Sequence, residues 1–260
     1  MKTLVLAIDG LDHRVVFDNN LVGFMQRVHG NFPSIINSQT KIPLSPQVWG
    51  SFLTGKEQTI DSWVRSVSGR WRVMSMVPRW IQRAVFNVLN NSLVFVDTRD
   101  LDGPTLIDII PKTVTVDFPF INYDTRASML RYTIAPSNRA TWRNSEEGIQ
   151  RERLKRIRSA LNDNWDLLLA YIPILDGYGH LYYNDPEKIV QRYQRLCVNV
   201  NVLLRILKAM DVYTIIVSDH GIDFKGSHSV ECFYSLSHDT GFKPTSITDF
   251  YEHIKQVVEK

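Results

Sequence analysis

The segment DGYGH at 176–180 contains a carboxylate and an imidazole four residues apart, among glycines. On a helix this spacing would put Asp176 and His180 on the same face, but two glycines disfavour a helix here. We therefore predict a loop that directs both side chains toward a common point. Because carboxylates and imidazoles are both ligands of divalent metals, a metal ion is the predicted occupant of that point.

Side chains of the same two kinds follow other apolar runs of the chain. Asp9 ends the first run, Asp219 and His220 follow a later one, and His228 comes eight residues further on among small residues. A single Asp at the end of a strand is commonly a turn residue, but three such ends with three His nearby form a pattern. Three converging carboxylates would repel one another unless cations neutralised them. The set suits two divalent ions, with Zn²⁺ as first choice and Mn²⁺ as the alternative.

Two divalent ions would outweigh three carboxylates by one positive charge, so such a site favours an anionic substrate. Oxygens that bridge two metals are typical of phosphoryl transfer, and a nucleophile is then expected nearby. Ser45 comes before a predicted helix at 46–54, whose free N–H groups would favour a phosphate and stabilise an alkoxide. The local sequence fits a second interpretation equally well, in which Ser45 is only the N-cap of that helix.

Hydrophobic runs predict the elements that must position these side chains. Short apolar runs without polar alternation predict buried strands at 3–8, 93–96, 113–118, 166–174 and 213–218. Helical periodicity or helix-end signals predict helices at 46–54, 146–161 and 184–210. This alternation predicts an α/β fold with a mostly parallel central sheet and helices on both faces. In such a sheet, functional groups gather beyond the carboxyl ends of the strands.

Composition sets broader limits on the class of protein. The 260 residues carry a formal net charge of +3, too near balance to imply a polyanionic partner. Cys197 and Cys232 form neither a disulfide framework nor a zinc quartet, and Cys197 is predicted to be a buried thiol. The apolar stretch 4–8 is too short for a signal peptide, and no run is long enough to span a membrane. We therefore expect a cytoplasmic protein.

Residues 56–92 differ from the rest because arginines alternate with tryptophans. Such a segment can bind nucleic acid or a membrane surface. The favoured interpretation is an inserted cap whose tryptophans pack on the core while its arginines stay solvated. A cap of this kind would overhang the site and could contact substrate. The relevant residues are Trp63, Arg65, Arg70, Trp71, Arg72, Arg79, Trp80 and Arg83.

Five motifs occur in an order that resembles a known superfamily. They are Asp9 after the first strand, SPQVWGSFLTG at 45–55, DGYGH at 176–180, SDHG at 218–221 and GSHS at 226–229. The ordered set resembles the alkaline phosphatase superfamily, and within it the small type I phosphodiesterase/nucleotide pyrophosphatase-like proteins. The resemblance covers nearly the whole chain. It implies a single alkaline-phosphatase-like domain over residues 1–260, with the cap as an insertion at about 56–92.

The resemblance also implies roles for individual residues. One metal would be held by Asp176, His180 and His228. The other would be held by Asp9, Asp219 and His220, with Ser45 contacting it as the nucleophile.

This sequence departs from the superfamily at the nucleophile. Thr-x-Pro is common there, whereas Pro46 follows Ser45 directly. Thr40 is a weaker rival nucleophile because it breaks the register with the residues that follow. Gln47 and Trp49 occupy the Pro and Arg positions of the sulfatase motif, so a sulfatase is disfavoured.

Other histidines compete with those assigned to the metals. His238 is the rival of His228 as third ligand, and His228 is preferred because its Ser-Gly surroundings suit a tight metal loop. His13, His29 and His253 are assigned to surface or structural positions.

The predicted function is metal-dependent hydrolysis of a phosphodiester or pyrophosphate bond in a small, nucleotide-like phosphorylated substrate, through a seryl covalent intermediate. The runner-up is a phosphomonoesterase or phosphoglycerate-mutase-like enzyme. The alternative from another class is a non-catalytic protein that binds nucleic acid or membranes through residues 63–83. Nucleic acid is the less favoured partner, and the sequence does not specify an oligomeric state.

Overall fold

A computed structural model describes residues 1–66, 93–123, 139–223 and 225–260 of the protein. Its strands are β1 (Thr3–Ile8), β2 (Val28–Pro33), β3 (Val64–Ser66), β4 (Leu93–Phe95), β5 (Thr113–Val116), β6 (Leu167–Ile172), β7 (Tyr213–Val217), β8 (Gly221–Ile222), β9 (His228–Ser229) and β10 (Glu231–Leu236). Its helices are α1 (His13–Asp18), α2 (Ser45–Thr54), α3 (Leu106–Ile109), α4 (Arg139–Ala160), α5 (Ile174–Tyr182), α6 (Pro186–Ala209) and α7 (Asp249–Glu259).

Six of these strands form the central sheet, in the order β2-β10-β7-β1-β6-β5. β1 pairs in parallel with both β6 and β7, and β5 pairs in parallel with β6. β10 runs antiparallel to β7 on one side and to β2 on the other. The carboxyl ends of β7, β1 and β6 are therefore adjacent along one edge of the sheet. The predicted mostly parallel α/β fold is confirmed.

Helices cover both faces of the sheet, which explains why the central strands are apolar throughout. Leu4, Leu6 and Ile8 of β1 belong to one hydrophobic cluster, together with residues of α4, α5 and α6. Val5 and Ala7 belong to the cluster on the other face, together with residues of α2 and α7. Because successive side chains of a strand point to opposite faces, a strand buried on both faces shows no polar alternation.

Helix α6 forms where its sequence signals predict it. Asp185 caps the helix by accepting a hydrogen bond from the backbone N–H of Lys188, and Pro186 occupies the first turn, where its missing N–H costs nothing. The buried face of α6 belongs to the hydrophobic core, and Cys197 on that face is a buried free thiol as predicted. None of the helices in the described part of the chain has the length and apolar character of a membrane span.

One prediction about a strand is wrong, and one strand was not predicted. The run 93–96 was expected to be a buried strand of the main sheet, but β4 pairs with β3 in a separate two-stranded sheet. An apolar run of that length does not distinguish a central strand from one arm of a small hairpin. Strand β2 was not predicted, because VHGNFP contains Gly and Pro and is mostly accessible at the sheet edge.

Most of the Trp/Arg-rich segment, residues 67–92, lies outside the described residues. The single domain over residues 1–260 with a cap at about 56–92 therefore stays a prediction.

Candidate metal centre

Three adjacent strands deliver the three predicted aspartates to one edge of the sheet. Asp9 directly follows β1, Asp219 comes two residues after β7, and Asp176 lies in the first turn of α5, which begins just beyond β6. The backbone continues the strand pairing here, since the Asp9 N–H donates to the carbonyl of Ile172 over 3.0 Å. The Asp176 N–H in turn donates to the carbonyl of Asp9 over 3.2 Å. The connection after β6 is therefore held against the connection after β1.

The DGYGH segment is a helix, so the predicted loop is wrong. Asp176 and His180 lie four residues apart on α5 and share one of its faces. The two glycines are needed for close packing rather than for a turn. A Cβ at Gly177 would lie 2.9 Å from Cζ2 of Trp142, and a Cβ at Gly179 would lie 2.6 Å from Cγ1 of Ile222. Tertiary contact thus overrides the low helix propensity of glycine.

The first group of potential ligands consists of Asp176, His180 and His228. Nε2 of His180 lies 3.0 Å from Oδ1 of Asp176, and Nε2 of His228 lies 3.4 Å from the same oxygen. The two Nε2 atoms are 3.0 Å apart. These three atoms come from α5 and β9 and converge on one point, as the sequence analysis expected.

The second group consists of Asp9, Asp219 and His220, all of them buried. Nε2 of His220 lies 3.3 Å from Oδ1 of Asp9 and 3.2 Å from Oδ2 of Asp219. The imidazole rings of His220 and His228 stack with their centroids 3.7 Å apart, so the two groups are direct neighbours.

The backbone around the three imidazoles determines which ring nitrogen can bind a cation. Each Nδ1 lies within hydrogen-bond distance of a backbone carbonyl: His180 of Gly226 (2.7 Å), His228 of Pro43 (2.7 Å) and His220 of Gly221 (3.0 Å). A carbonyl only accepts, so each Nδ1 carries a proton, which leaves Nε2 as the metal-binding nitrogen of the neutral ring. Although burial acts in the opposite direction, the hydrogen bond with Asp176 raises the pKa of His228.

In the second group this arrangement brings the Nε2 of a neutral imidazole and carboxylate oxygens together, and all of these atoms are acceptors. Oδ2 of Asp219, for example, is buried and has no hydrogen-bond donor within the described residues. A divalent ion with nitrogen and oxygen ligands would satisfy these atoms, so the residues fit the metal that the resemblance implies.

Burial perturbs the titration of the second group. It raises the pKa of the Asp219 carboxyl to about 6, although the hydrogen bond from Ser45 acts in the opposite direction. Burial also lowers the pKa of His220 well below its usual value, and the neighbouring His228 contributes in the same direction. His220 is therefore neutral at pH 7, which is the form that binds a metal.

Ser45 lies beside the second group and is the first residue of α2. Its Oγ is 3.0 Å from Nε2 of His220 and 3.5 Å from Oδ1 of Asp9. The N-cap of α2 is Leu44, and no side chain caps the helix. The interpretation of Ser45 as a simple N-cap is therefore wrong, because its hydroxyl faces the aspartates and histidines instead of the free N–H groups.

Comparison with known proteins places the chain in a family. The model of the type I phosphodiesterase/nucleotide pyrophosphatase family matches residues 3–231. The chain belongs to this family. Membership supports phosphoesterase, and therefore hydrolase, chemistry. No curated protein matches the sequence.

Solved structures show the same fold at low sequence identity. The alkaline phosphatase of the Antarctic bacterium TAB5 is 11% identical, with a TM-score of 0.57 over 99% of this chain and 97% of its own. Murine ectonucleotide pyrophosphatase/phosphodiesterase 5 is 15% identical, with a TM-score of 0.48 over 85% of this chain and 57% of its own. The first of these likenesses shows that the chain has an alkaline-phosphatase-like fold.

Tyr171 is a site residue of this family member that the sequence analysis missed. It lies in β6, fully buried, and its hydroxyl donates a hydrogen bond to Oδ2 of Asp9. Burial and the neighbouring Asp9 raise the pKa of Tyr171 well above its usual value, so it stays a donor. A tyrosine within a buried strand needs a partner for its hydroxyl, and this was the available signal.

Two further contacts fix Asp219. The hydroxyl of Ser34 donates to its backbone carbonyl over 2.6 Å, and the N–H of Gly10 donates to its Oδ1 over 3.3 Å. Neither donor carries a pattern that would have identified it from the sequence.

The rival residues of the sequence analysis lie elsewhere. His238 contacts Ser237 and the ring of Tyr213, at the end of β7 opposite Asp219. Thr40 is exposed and belongs to a turn built on the side chain of Asn37. The three remaining histidines make other contacts: His13 with Glu231, His29 with Gln26 and His253 with Tyr213.

Proposed function

We propose that the protein hydrolyses a phosphodiester or pyrophosphate bond by attack of Ser45 on phosphorus, with two divalent ions held by the two ligand groups. Asp176, His180 and His228 would hold one ion, and Asp9, Asp219 and His220 the other. The observation that carries the proposal is the position of the Ser45 hydroxyl, within hydrogen-bond distance of His220 beside the second group. Zn²⁺ fits this nitrogen and oxygen set best, and Mn²⁺ is the alternative.

In the reaction, Oγ of Ser45 forms a bond to phosphorus while the bond to the leaving group breaks. Water then hydrolyses the bond between Oγ and phosphorus, which regenerates the serine hydroxyl and, for a diester, releases the phosphomonoester. Bound divalent ions would supply the positive charge that favours the serine alkoxide and neutralises the phosphate oxygens. The N-terminus of α2 supports the same step, since its free N–H groups favour negative charge at its first residue. Tyr171 orients Asp9 by occupying the carboxylate oxygen that Ser45 does not contact.

An aromatic cavity favours a nucleotide-like group in the substrate. It has a volume of about 180 Å³, and Trp63, Phe120 and Tyr123 are among the residues that line it. Trp63 and Tyr123 stack with centroids 5.6 Å apart, and Tyr123 packs against Tyr171 at 5.7 Å. Tyr123, which lines the cavity, thus contacts Tyr171, the residue that donates a hydrogen bond to Asp9. Flat aromatic walls of this kind stack nucleobases.

A diester or pyrophosphate is preferred over a monoester because a monoester carries extra charge that calls for a cationic clamp. Arg14, the arginine nearest to Asp9 in sequence, is already bound by both oxygens of Asp12, through Nε at 3.1 Å and Nη2 at 2.6 Å. Its charge is therefore neutralised locally.

The test is a substrate panel on the full chain with Zn²⁺ and with Mn²⁺, combined with metal analysis. We expect about two bound ions per chain and faster hydrolysis of a bis-aryl phosphate or a dinucleoside pyrophosphate than of an aryl monophosphate. A preference for the monoester would favour the phosphomonoesterase or mutase-like alternative. A chain that binds no ions and hydrolyses none of the three would favour a non-catalytic binding protein.

A further inference from the structure

The outer face of α6 carries a line of exposed apolar residues. Their exposed fractions are 65% for Val198, 44% for Val202, 38% for Ile206 and 41% for Met210. The spacing of four residues aligns them along roughly 18 Å of helix. We call these four residues the apolar stripe. Single exposed apolar residues are ordinary, but a continuous line of them marks an interaction surface.

The charges beside the apolar stripe are all positive on its own helix. Arg195, Arg205 and Lys208 are exposed, and the sequence from Lys188 to Met210 contains no acidic residue. The exposed side of α6 is therefore basic, although the net charge of the whole protein is small.

A groove between α4 and α6 adjoins the stripe at Val198. It has a volume of about 400 Å³, and we call it the basic groove because Arg151, Arg192 and Arg195 line it. Arg192 is only 8% exposed, and its Nε has no hydrogen-bond partner in the described part of the chain. Glu147 lies 3.9 Å from Arg192 and 3.5 Å from Arg195, and Glu146 also acts on Arg192. Among the residues that line the groove, one carboxylate stands against three guanidinium groups. The groove is therefore suited to an anion.

We propose that this face docks on an anionic phospholipid surface, with a lipid phosphate in the basic groove and the apolar stripe against the upper acyl chains. The proposal goes beyond the hydrolytic function and does not depend on it. Cations attract anionic lipids near a membrane surface, and apolar side chains on the same helix face gain by leaving water.

The charges disfavour other occupants of the face. A symmetric contact with a second copy would bring the arginines of one chain against those of the other, with Glu147 as the acidic residue in the groove. A nucleic acid would match the cations but would leave the apolar stripe without a partner.

The topology keeps the candidate metal centre open in the docked state. α6 leads into β7, so its Met210 end lies at the amino edge of the sheet. The two ligand groups lie at the opposite, carboxyl edge. Docking along the stripe would therefore not cover them.

The experiment is co-sedimentation of the full chain with phosphatidylcholine vesicles and with vesicles in which about a quarter of the lipid is phosphatidylserine. We expect binding to the second kind only, weakened by salt. The double variant Arg195→Glu/Arg205→Glu should bind about tenfold more weakly or worse. Its matched control is Lys243→Glu/Lys255→Glu, which changes the net charge equally but lies in and before α7, on the other face of the sheet. The control should bind like the wild type.

A second variant tests the apolar component. Val202→Ser/Ile206→Ser leaves all charges in place and alters only exposed side chains, so we expect normal thermal unfolding but weaker vesicle binding. An equal loss of vesicle binding in Arg195→Glu/Arg205→Glu and in Lys243→Glu/Lys255→Glu would show that only net charge matters, and would overturn the proposal. So would equal affinity for free glycerophosphoserine and for vesicles, or a dimer in light scattering that Val202→Ser/Ile206→Ser dissociates. Absence of sedimentation at low salt would overturn it as well.

Discussion

Replacing Ser45 by alanine separates the proposed chemistry from any structural role of this residue. The structure removes the capping role, since Leu44 is the N-cap and the Ser45 hydroxyl contacts His220 and Asp9. Ser45→Ala therefore deletes one hydroxyl donor, and the hydrogen bond that such a donor makes is worth about 1 kcal/mol in a folded protein. Alanine is also well tolerated in a helix. We expect a change in unfolding free energy of about 1 kcal/mol or less.

The expected effect on turnover is much larger. If Oγ forms the bond to phosphorus, its loss should lower kcat by a factor of about 10³ or more, which is about 4 kcal/mol of transition-state stabilisation. Because the six proposed ligands stay in place, the metal content should not change. Ser45→Thr keeps a hydroxyl at the same position and should retain part of the activity.

The assay is steady-state hydrolysis of a bis-aryl phosphate, with metal content measured on the same samples. Thr40→Ala is the matched control, because it deletes an exposed hydroxyl that contacts only its own turn, and it should behave like the wild type. Rapid quenching should trap the aryl phosphoryl group on residue 45 of the wild type and of Thr40→Ala, but not on that of Ser45→Ala. Near wild-type turnover of Ser45→Ala with normal metal content would refute the nucleophile and indicate attack by water.

Three further variants test the surroundings of the site and the fold. Asp219→Asn should abolish hydrolysis and lower the bound metal, measured by elemental analysis, while circular dichroism stays unchanged; full activity after chelation would contradict this. Tyr171→Phe keeps the aromatic packing but removes the donor to Asp9, so metal affinity or activity should fall about 10–100-fold with little loss of stability. Burial lowers the pKa of His253 to about 4 from the usual 6.5, so folding disfavours its protonated form and stability should fall as the pH drops from 6.5 to about 4. This contribution is at most about 3 kcal/mol, and His253→Gln, compared with wild type by urea unfolding at several pH values, should remove it; an unchanged pH dependence would refute it.

The fold was predictable where the sequence signals are strong and local. β1, β6 and β7 are buried on both faces and appear in the sequence as continuous apolar runs. The pattern was ambiguous where a strand is short or lies at an edge. β4 joins a small separate sheet, and β2 contains Gly and Pro because an edge strand has fewer neighbours to satisfy.

The DGYGH helix shows a different limit, because glycine has two possible causes that look identical in a sequence. It occurs where the backbone needs unusual freedom, and it occurs where a neighbour leaves no space for a Cβ. Gly177 and Gly179 are of the second kind, since Trp142 and Ile222 occupy that space. Trp142 is distant in sequence, so no local pattern could have distinguished the two causes. The predicted convergence of Asp176 and His180 nevertheless held, because either a loop or one helix face brings them together.

Residue types that can bind a metal are visible in a sequence. The groups that orient them by hydrogen bonding are not visible there. The imidazoles of His180 and His228 present Nε2 because the carbonyls of Gly226 and Pro43 take the proton on Nδ1. Every residue has a carbonyl, so the sequence carries no information about which one a given histidine meets. Tyr171 differs, because a buried hydroxyl needs a partner and the strand containing it lies next to β1. A polar side chain within an apolar strand therefore indicates, before the structure is known, a residue that hydrogen-bonds to a ligand of such a site.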